Sequence, residues 1–123
     1  MSRIRSKNTA PELAVRKALT GQGLHYRLHV RNLPGNPDIA MRRIKTAIFV
    51  NGCFWHQHPG CKRNSFPKSN TAYWKPKLQR NIDRQMKAFA ELEKEDWNVV
   101  TVWECEAKKE DILNKKLERT LGL

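Results

Sequence analysis

The chain has 123 residues, with 24 Lys and Arg against 12 Asp and Glu, which gives a formal net charge of +12 at pH 7. Its 39% of hydrophobic residues is too much for a disordered chain and enough for one folded domain over residues 1–123. No apolar run approaches the roughly 18 residues of a membrane span, no signal-peptide stretch follows the first residues, and three cysteines cannot all pair within the chain. We therefore expect a cytoplasmic domain without a membrane partner or a disulfide scaffold.

The first half of the chain predicts one helix and three strands. Residues 9–20 are predicted as a helix because Thr9 can cap its start and Gly21 can end it. Residues 24–30 alternate apolar and polar side chains, which is typical of a half-buried strand. The remaining elements of this half are a turn over 34–37, a short strand over 38–41, a tight connection over 42–43 and an interior strand over 44–50.

The second half predicts an irregular segment over 51–70, two helices and one strand. A long helix is expected after Pro76, because apolar residues recur at helical spacing, with Met86 or the adjacent Gln85 on the inner face. The remaining elements are a buried strand over 97–103 and a closing helix over 112–121. The order α, β, β, β, α, β, α predicts an α/β fold with a mixed sheet flanked by helices.

The charge is unevenly distributed along the chain. Residues 1–82 hold 16 basic side chains but only two acidic ones, Glu12 and Asp38, whereas residues 83–123 hold 8 basic and 10 acidic ones. A cationic surface of this kind attracts phosphates and favours a polyanionic partner, although a generically basic protein is the simpler alternative.

The two acids in this basic region have two possible roles. A carboxylate in cationic surroundings either has a local hydrogen-bonding partner or holds a metal cation beside a phosphate. Local partners are available, because Thr9 and Glu12 fit a capping box and Asp38 follows a turn in which an Asx turn can form. The residues alone leave both roles open.

Cysteine and histidine are concentrated between Asn51 and Cys61, and the third cysteine, Cys105, follows the last predicted strand. Three thiolates and one imidazole are a known ligand set for structural zinc, and a metal would give the apolar-poor loop a fold, so we favour zinc over free buried cysteines. His56 and His58 are two positions apart, so they point to opposite sides of an extended segment. We assign His58 to the metal and His56 to chemistry, and the spacing alone equally allows the reverse.

Four blocks of the sequence resemble the very-short-patch repair (Vsr) DNA mismatch endonucleases, in the same order and over nearly the whole chain. They are Arg-Ser-Lys-Asn-Thr at 5–9, Leu-Pro-Gly-Asn-Pro-Asp at 33–38, Phe-Val-Asn-Gly-Cys-Phe-Trp-His at 49–56 and Val-Trp-Glu-Cys at 102–105. The resemblance implies a restriction-endonuclease-like core. It also implies magnesium-dependent nicking of duplex DNA on the 5′ side of the thymine in T:G mismatches, which arise when 5-methylcytosine deaminates.

The same resemblance implies roles for individual residues. Asp38 would bind the catalytic Mg²⁺ together with the backbone carbonyl of Val50. His56 would be the catalytic histidine, and Glu12 would position a metal-bound water. Asn51 stands where the family often has a histidine, and it can hydrogen-bond water but cannot act as a base. The implied zinc ligands are Cys53, His58, Cys61 and Cys105. These are the same four residues that we assign to the metal from their spacing.

Aromatic and basic residues complete the implied site. Phe54, Trp55 and Trp74 match family aromatics that wedge into the base stack beside the mismatch, where unstacking is easiest. Candidate phosphate contacts are Lys62, Arg63, Lys68, Lys75, Lys77, Arg80 and Arg84. His25 and His29 are interpreted as ordinary strand residues.

We therefore expect a monomer that acts on mismatched double-stranded DNA, with other mismatch-repair proteins as partners. Because few acids surround Asp38, we expect weak Mg²⁺ binding until DNA is present. One alternative is a related nicking endonuclease that acts on other mismatches or on paired DNA. Another is a non-catalytic, zinc-stabilised DNA-binding module, which would leave Asp38 and His56 without a role.

Overall fold

A computed structural model describes residues 9–61 and 71–121 of the chain. Within these residues the helices are α1 (Ala10–Gly21), α2 (Thr71–Lys94), α3 (Glu104–Ala107) and α4 (Glu110–Leu121). The strands are β1 (Arg27–Leu28), β2 (Ile39–Met41), β3 (Thr46–Asn51) and β4 (Asn98–Trp103), and a 3₁₀ turn at Arg42–Ile44 joins β2 to β3. None of the described helices combines the length and the apolar character that crossing a membrane requires.

The four strands form one mixed sheet in the order β1-β2-β3-β4. β1, β2 and β3 are antiparallel neighbours, whereas β3 and β4 are parallel, with Thr46 opposite Asn98 and Asn51 opposite Trp103. Parallel neighbours require a crossover connection, which α2 supplies. As a result, the carboxyl ends of β3 and β4 meet at the same edge of the sheet.

Helices pack on both faces of the sheet. One core cluster joins the sheet to α1 and α4 through Val15, Leu19, Ile48, Leu113 and Leu117. The other cluster joins the sheet to α2 through side chains such as Phe49 and Leu92. The predicted mixed sheet with flanking helices is therefore confirmed.

Helix α1 matches its prediction closely. The Glu12 N–H donates to Thr9 Oγ1 at 3.4 Å, so Thr9 caps the helix as expected. At the other end, the Gln22 N–H donates to the Leu19 carbonyl, and Gly23 at φ +74° reverses the chain. Glycine reaches this conformation without steric cost, which explains why the helix ends here.

Three elements differ from the prediction. β1 covers only Arg27–Leu28 because His29 turns into the left-handed region at φ +49°. α2 already includes Thr71, so Pro76 lies inside the helix, where its missing N–H removes a backbone hydrogen bond. The short helix α3 directly after β4 was not predicted.

Candidate active site and metal centre

A cleft of about 330 Å³ opens between the carboxyl end of β3, the turn before β2, and α2. Asp38, Val50, Asn51 and His56 line it together, so the structure brings four predicted site residues into one place. The lining also includes Gly35, Asn36, Phe49, Asn81, Arg84 and Gln85. A larger cavity of about 500 Å³ between α1 and α4 contains none of the predicted site residues.

Asp38 is held against the backbone of β3. The Val50 N–H donates to Asp38 Oδ2 at 2.8 Å. Because the N–H and C=O groups of one strand residue point to the same side, the Val50 carbonyl also lies on the Asp38 side of β3. Burial raises the pKa of Asp38 to about 6; the Val50 hydrogen bond opposes this rise and the charge of Glu12 adds to it. A bound cation would favour the ionised carboxylate.

Glu12 reaches this region through His29, which the sequence interpretation treated as an ordinary strand residue. Glu12 is 2% exposed, and its Oε2 lies 2.9 Å from His29 Nε2 and 3.4 Å from Arg16. The backbone N–H of His29 donates to the Asp38 carbonyl at 2.9 Å. His29 therefore links the helix carboxylate to the strand that carries Asp38, and its left-handed conformation has no signal in the sequence.

His56 lines the cleft with a partly buried imidazole. Its Nδ1 is buried and has no hydrogen-bond partner among the described residues. Burial lowers the pKa of His56 below its ordinary value of 6.5. The imidazole is therefore neutral at neutral pH and able to accept a proton.

Asn51 forms a reciprocal amide pair with Gln85 of α2. Asn51 Nδ2 donates to Gln85 Oε1 at 2.7 Å, and Gln85 Nε2 donates to Asn51 Oδ1 at 2.9 Å. On α2, Gln85 contacts the buried Asn51, which is 2% exposed, whereas the next residue, Met86, is 64% exposed. Gln85 rather than Met86 therefore faces inward. The pair fixes the end of β3 against α2, and no pattern in the sequence indicates it.

Four predicted metal ligands converge at the carboxyl ends of the parallel strands. Cys53 follows β3 and Cys105 lies in α3 directly after β4, so the strand pairing brings the two thiols together. The donor atoms of Cys53, His58, Cys61 and Cys105 all lie within 4.8 Å of one another.

This group of four residues fits a tetrahedral metal ion. His58 Nδ1 lies 3.4 Å from Cys105 Sγ and 3.7 Å from Cys53 Sγ. Zinc bond lengths of about 2.1 and 2.3 Å give a tetrahedral N···S separation of about 3.6 Å. Burial raises the pKa of Cys53 to about 12, so a cation is needed to stabilise its thiolate. The Cys/His set can therefore hold a metal ion.

The two histidines of this loop are separated as predicted, but for a different reason. The segment is not extended: the Gln57 N–H donates to the Phe54 carbonyl, and Gln57 adopts φ +48°. This turn places His58 in the metal cluster and leaves His56 in the cleft. Trp103 stacks on His58 with a ring separation of 4.1 Å and fixes the plane of the imidazole.

An aromatic cluster lies beside the metal loop. Phe54, Trp55 and Trp74 contact one another with ring centroids 5.2, 5.7 and 5.9 Å apart. Tyr73, which was not predicted, extends the cluster and is 59% exposed, and Lys77 Nζ lies between 5.5 and 5.8 Å from three of these rings. The structure thus joins aromatic faces and a positive charge on one surface.

The predicted phosphate contacts lie partly in this region. Lys75, Arg80 and Arg84 are exposed on α2, and Arg84 also lines the cleft. Lys62, Arg63 and Lys68 lie outside the described residues.

The chain is similar to known DNA mismatch endonucleases and nicking enzymes. Residues 1–63 match the family model described as DNA mismatch endonuclease Vsr. The type II nicking enzyme V.NmeAIP of Neisseria meningitidis is 44% identical over 97% of this chain and 84% of its own length. The type II nicking enzyme V.XorIIP of Xanthomonas oryzae is 44% identical over 98% and 88%. The DNA mismatch endonuclease Vsr of Escherichia coli is 35% identical over 96% and 78%.

The family model covers the part of the chain that contains Asp38, Val50 and His56, and the relatives match nearly the whole chain. The shared family makes the chain a nuclease that acts on DNA. The protein belongs to the Vsr family of DNA mismatch endonucleases.

Proposed function

We propose that this protein nicks double-stranded DNA on the 5′ side of the thymine in T:G mismatches, in a reaction that requires Mg²⁺. The observation that carries the proposal is the single cleft lined by Asp38, Val50 and His56. Membership of the Vsr family and the name of the Escherichia coli relative support mismatch repair as the context. The restriction-endonuclease-like core, the single domain over 1–123, the monomeric state and partner repair proteins are parts of the same proposal.

Mg²⁺ would be held by the Asp38 carboxylate and the Val50 carbonyl. Both are hard oxygen donors of the type that Mg²⁺ prefers, and their mutual position is fixed by the hydrogen bond from Val50 to Asp38. When bound, the ion supplies charge neutralisation at the scissile phosphate and an acidified water. Since these are only two protein ligands, tight binding requires the DNA phosphate as well.

Two residues of the cleft, His56 and Asn51, and the buried Glu12 outside its lining have roles toward the proton and the water. Neutral His56 accepts the proton of the attacking water, as its buried environment favours. Glu12, held by His29 and Arg16, orients a water near Asp38. Asn51 acts through position, because its amide is engaged with Gln85.

Zn²⁺ would be held by Cys53, His58, Cys61 and Cys105 and would serve structure. Phe54 and Trp55 follow Cys53 directly, so a rigid metal loop would present both rings with little conformational freedom. Insertion of a ring between base pairs costs about a few kcal/mol of unstacking and less at a mismatch, where the pairing is already weak. The aromatic cluster is therefore our proposed source of mismatch preference.

The proposed function is tested by nicking assays on duplexes that contain T:G, each other mismatch, or no mismatch, with Mg²⁺ and with EDTA. We expect strand-specific nicking of the T:G duplex only with Mg²⁺. His56→Ala should lower the single-turnover nicking rate by at least about a hundredfold, the lower end for loss of a general base, while mismatch binding stays near wild type. His25→Ala is the matched control, because His25 is exposed and does not line the cleft.

Two results would contradict this proposal. Equal nicking of matched and T:G duplexes would contradict mismatch specificity and would favour the alternative of a nicking endonuclease that acts on paired DNA. DNA binding that needs no divalent ion, together with no nicking of any duplex, would indicate a non-catalytic DNA-binding module.

Trp55→Ala tests the aromatic cluster. We expect the preference for T:G over matched duplex to fall by about tenfold, since base stacking on an aromatic side chain is worth about 1–3 kcal/mol. Affinity for matched duplex should change by less than threefold. Competition binding with both duplexes measures the two quantities, and an unchanged preference would remove Trp55 from recognition.

A further inference from the structure

A basic depression lies at the outer edge of the sheet, on β1. Arg27, Arg31 and Arg42 line it, and its lining contains no acidic residue. All three arginines are exposed, and none forms an ion pair within residues 9–61 and 71–121. We call these three residues the arginine edge.

The fold explains why these arginines converge. Arg27 pairs with Ala40 across β1 and β2, and Arg42 begins the 3₁₀ turn that directly follows β2, so both residues lie at the same end of this strand pair. Arg42 also donates to Asn32 Oδ1 at 3.4 Å, which ties the 3₁₀ turn to the segment that carries Arg31. Arginine, unlike lysine, offers a planar fork that matches a phosphate group.

The arginine edge lies next to the cleft. The N–H of His29 donates to the Asp38 carbonyl, and the N–H of Val30 donates to the Pro37 carbonyl. Val30, which lines the depression next to Arg31, therefore lies beside Pro37, the residue that precedes Asp38 of the cleft. Backbone phosphates of duplex DNA follow one another at about 3.4 Å of helix axis per strand. A duplex with its scissile phosphate at Asp38 therefore has further phosphates within reach of these guanidinium groups.

We propose that the arginine edge binds backbone phosphates of the substrate duplex beyond the scissile phosphate and sets how the duplex lies across the cleft. This inference rests on the proposed function only in taking Asp38 as the position of the scissile phosphate. The competing explanation is that charges on β1 protect an exposed sheet edge from pairing with other chains. The two explanations differ in DNA affinity and in its dependence on salt.

The test compares two triple variants that remove the same charge. The edge variant is Arg27→Gln, Arg31→Gln and Arg42→Gln; the control is Lys108→Gln, Lys115→Gln and Arg119→Gln, all exposed near or on α4. Binding to a T:G duplex is measured in EDTA by fluorescence anisotropy between 50 and 200 mM NaCl. Log K falls linearly with log salt, and loss of two or three phosphate contacts makes this negative slope less steep by about 1.8–2.7. Between 50 and 200 mM NaCl, the affinity of wild type should therefore fall by a factor about 12 to 40 times larger than the factor for the edge variant. The control variant should keep a slope nearer to wild type.

A length series locates the contact. Duplexes are shortened by two base pairs at a time from either end, and wild type should lose affinity in one step on one side of the mismatch. The edge variant should lack that step. Replacement of the same residues by lysine should restore most of the slope, and thermal melting checks that each variant is folded.

The outcomes separate this inference from the proposed function. Equal slopes for the edge and control variants, or a length step that persists in the edge variant, would overturn the inference. Equal slopes with faster aggregation of the edge variant would assign these arginines to edge protection. Binding is measured in EDTA and nicking in Mg²⁺. Absence of nicking by wild type would therefore refute the proposed function and leave the binding result valid.

Discussion

Asp38→Asn is expected to abolish nicking and at the same time to stabilise the metal-free protein at pH 8. The fold raises the pKa of Asp38 from 3.8 to about 6, mainly because the carboxylate is buried. Its charged form is therefore disfavoured in the folded state. Asparagine removes the charge and keeps an oxygen that can accept the Val50 N–H, so stability should rise where catalysis is lost.

The pH dependence follows from the direction of this shift. Between pH 3.8 and about 6 the folded protein holds a proton on Asp38 that the unfolded chain has released, so the contribution of Asp38 to stability falls as pH rises through this window. Above the window the full penalty is present, and below it the penalty vanishes. A shift of about two units corresponds to about 3 kcal/mol, and partial solvent access lowers this, so we expect Asp38→Asn to add about 1–3 kcal/mol at pH 8.

Urea unfolding in EDTA at pH 4 and pH 8 measures this difference, and the gain should be near zero at pH 4. Nicking of a T:G duplex with Mg²⁺ should fall by at least about a hundredfold. Asp83→Asn is the matched control, because Asp83 is exposed on α2 and, among the described residues, accepts a hydrogen bond only from Gln79. The control should keep its nicking activity and its stability within about 0.5 kcal/mol. If Asp38→Asn destabilised the protein equally at both pH values, the buried charge would not be the cause.

The parts of the fold that the sequence predicted well depend on local signals. The cap of α1 depends on Thr9 and the chain reversal on Gly23, and both act within one helical turn of the residues they affect. The apolar, β-branched runs that predict β3 and β4 are equally local signals. The grouping of Cys53 and Cys105 was predictable because few residue types bind zinc and the chain contains few of them.

The parts that could not be predicted depend on long-range contacts. Asn51 and Gln85 are 34 residues apart, and whether Gln85 or Met86 faces inward is decided by how α2 packs on the sheet. His29 leaves the strand at φ +49°, a conformation that its residue type does not signal, and it thereby reaches Glu12. The sequence therefore identified residues that the fold brings into one cleft, but not the contacts that hold them in place.

The cleft and the metal cluster depend on the same strand pair. Asn51 ends β3 and Cys53 follows two residues later, while Cys105 follows β4, the parallel partner of β3. His56 lies in the loop between the ligands Cys53 and His58. A metal bound there would crosslink the two strand ends and would also restrain His56, the proposed base, without taking part in the chemistry.

This coupling predicts that Cys105→Ser has the largest effect on stability. Removal of one thiolate from the cluster of Cys53, His58, Cys61 and Cys105 should release the metal and leave the buried Cys53 thiol without it. The free energy of structural zinc binding is part of the folding free energy, so we expect a loss of at least about 3 kcal/mol. Elemental analysis should find about one zinc per wild-type chain and none in the variant.

Thermal melting with and without a zinc chelator distinguishes loss of the metal from loss of packing. The chelator should lower the Tm of wild type to a value near that of Cys105→Ser, and it should leave the Tm of the variant unchanged, because a ligand stabilises only the form that binds it. Lys108→Ser, an exposed change directly after α3, should keep both the zinc and the response to the chelator. A wild-type protein purified without zinc, or a chelator effect equal in wild type and Cys105→Ser, would show that the four side chains stabilise the strand ends by packing alone.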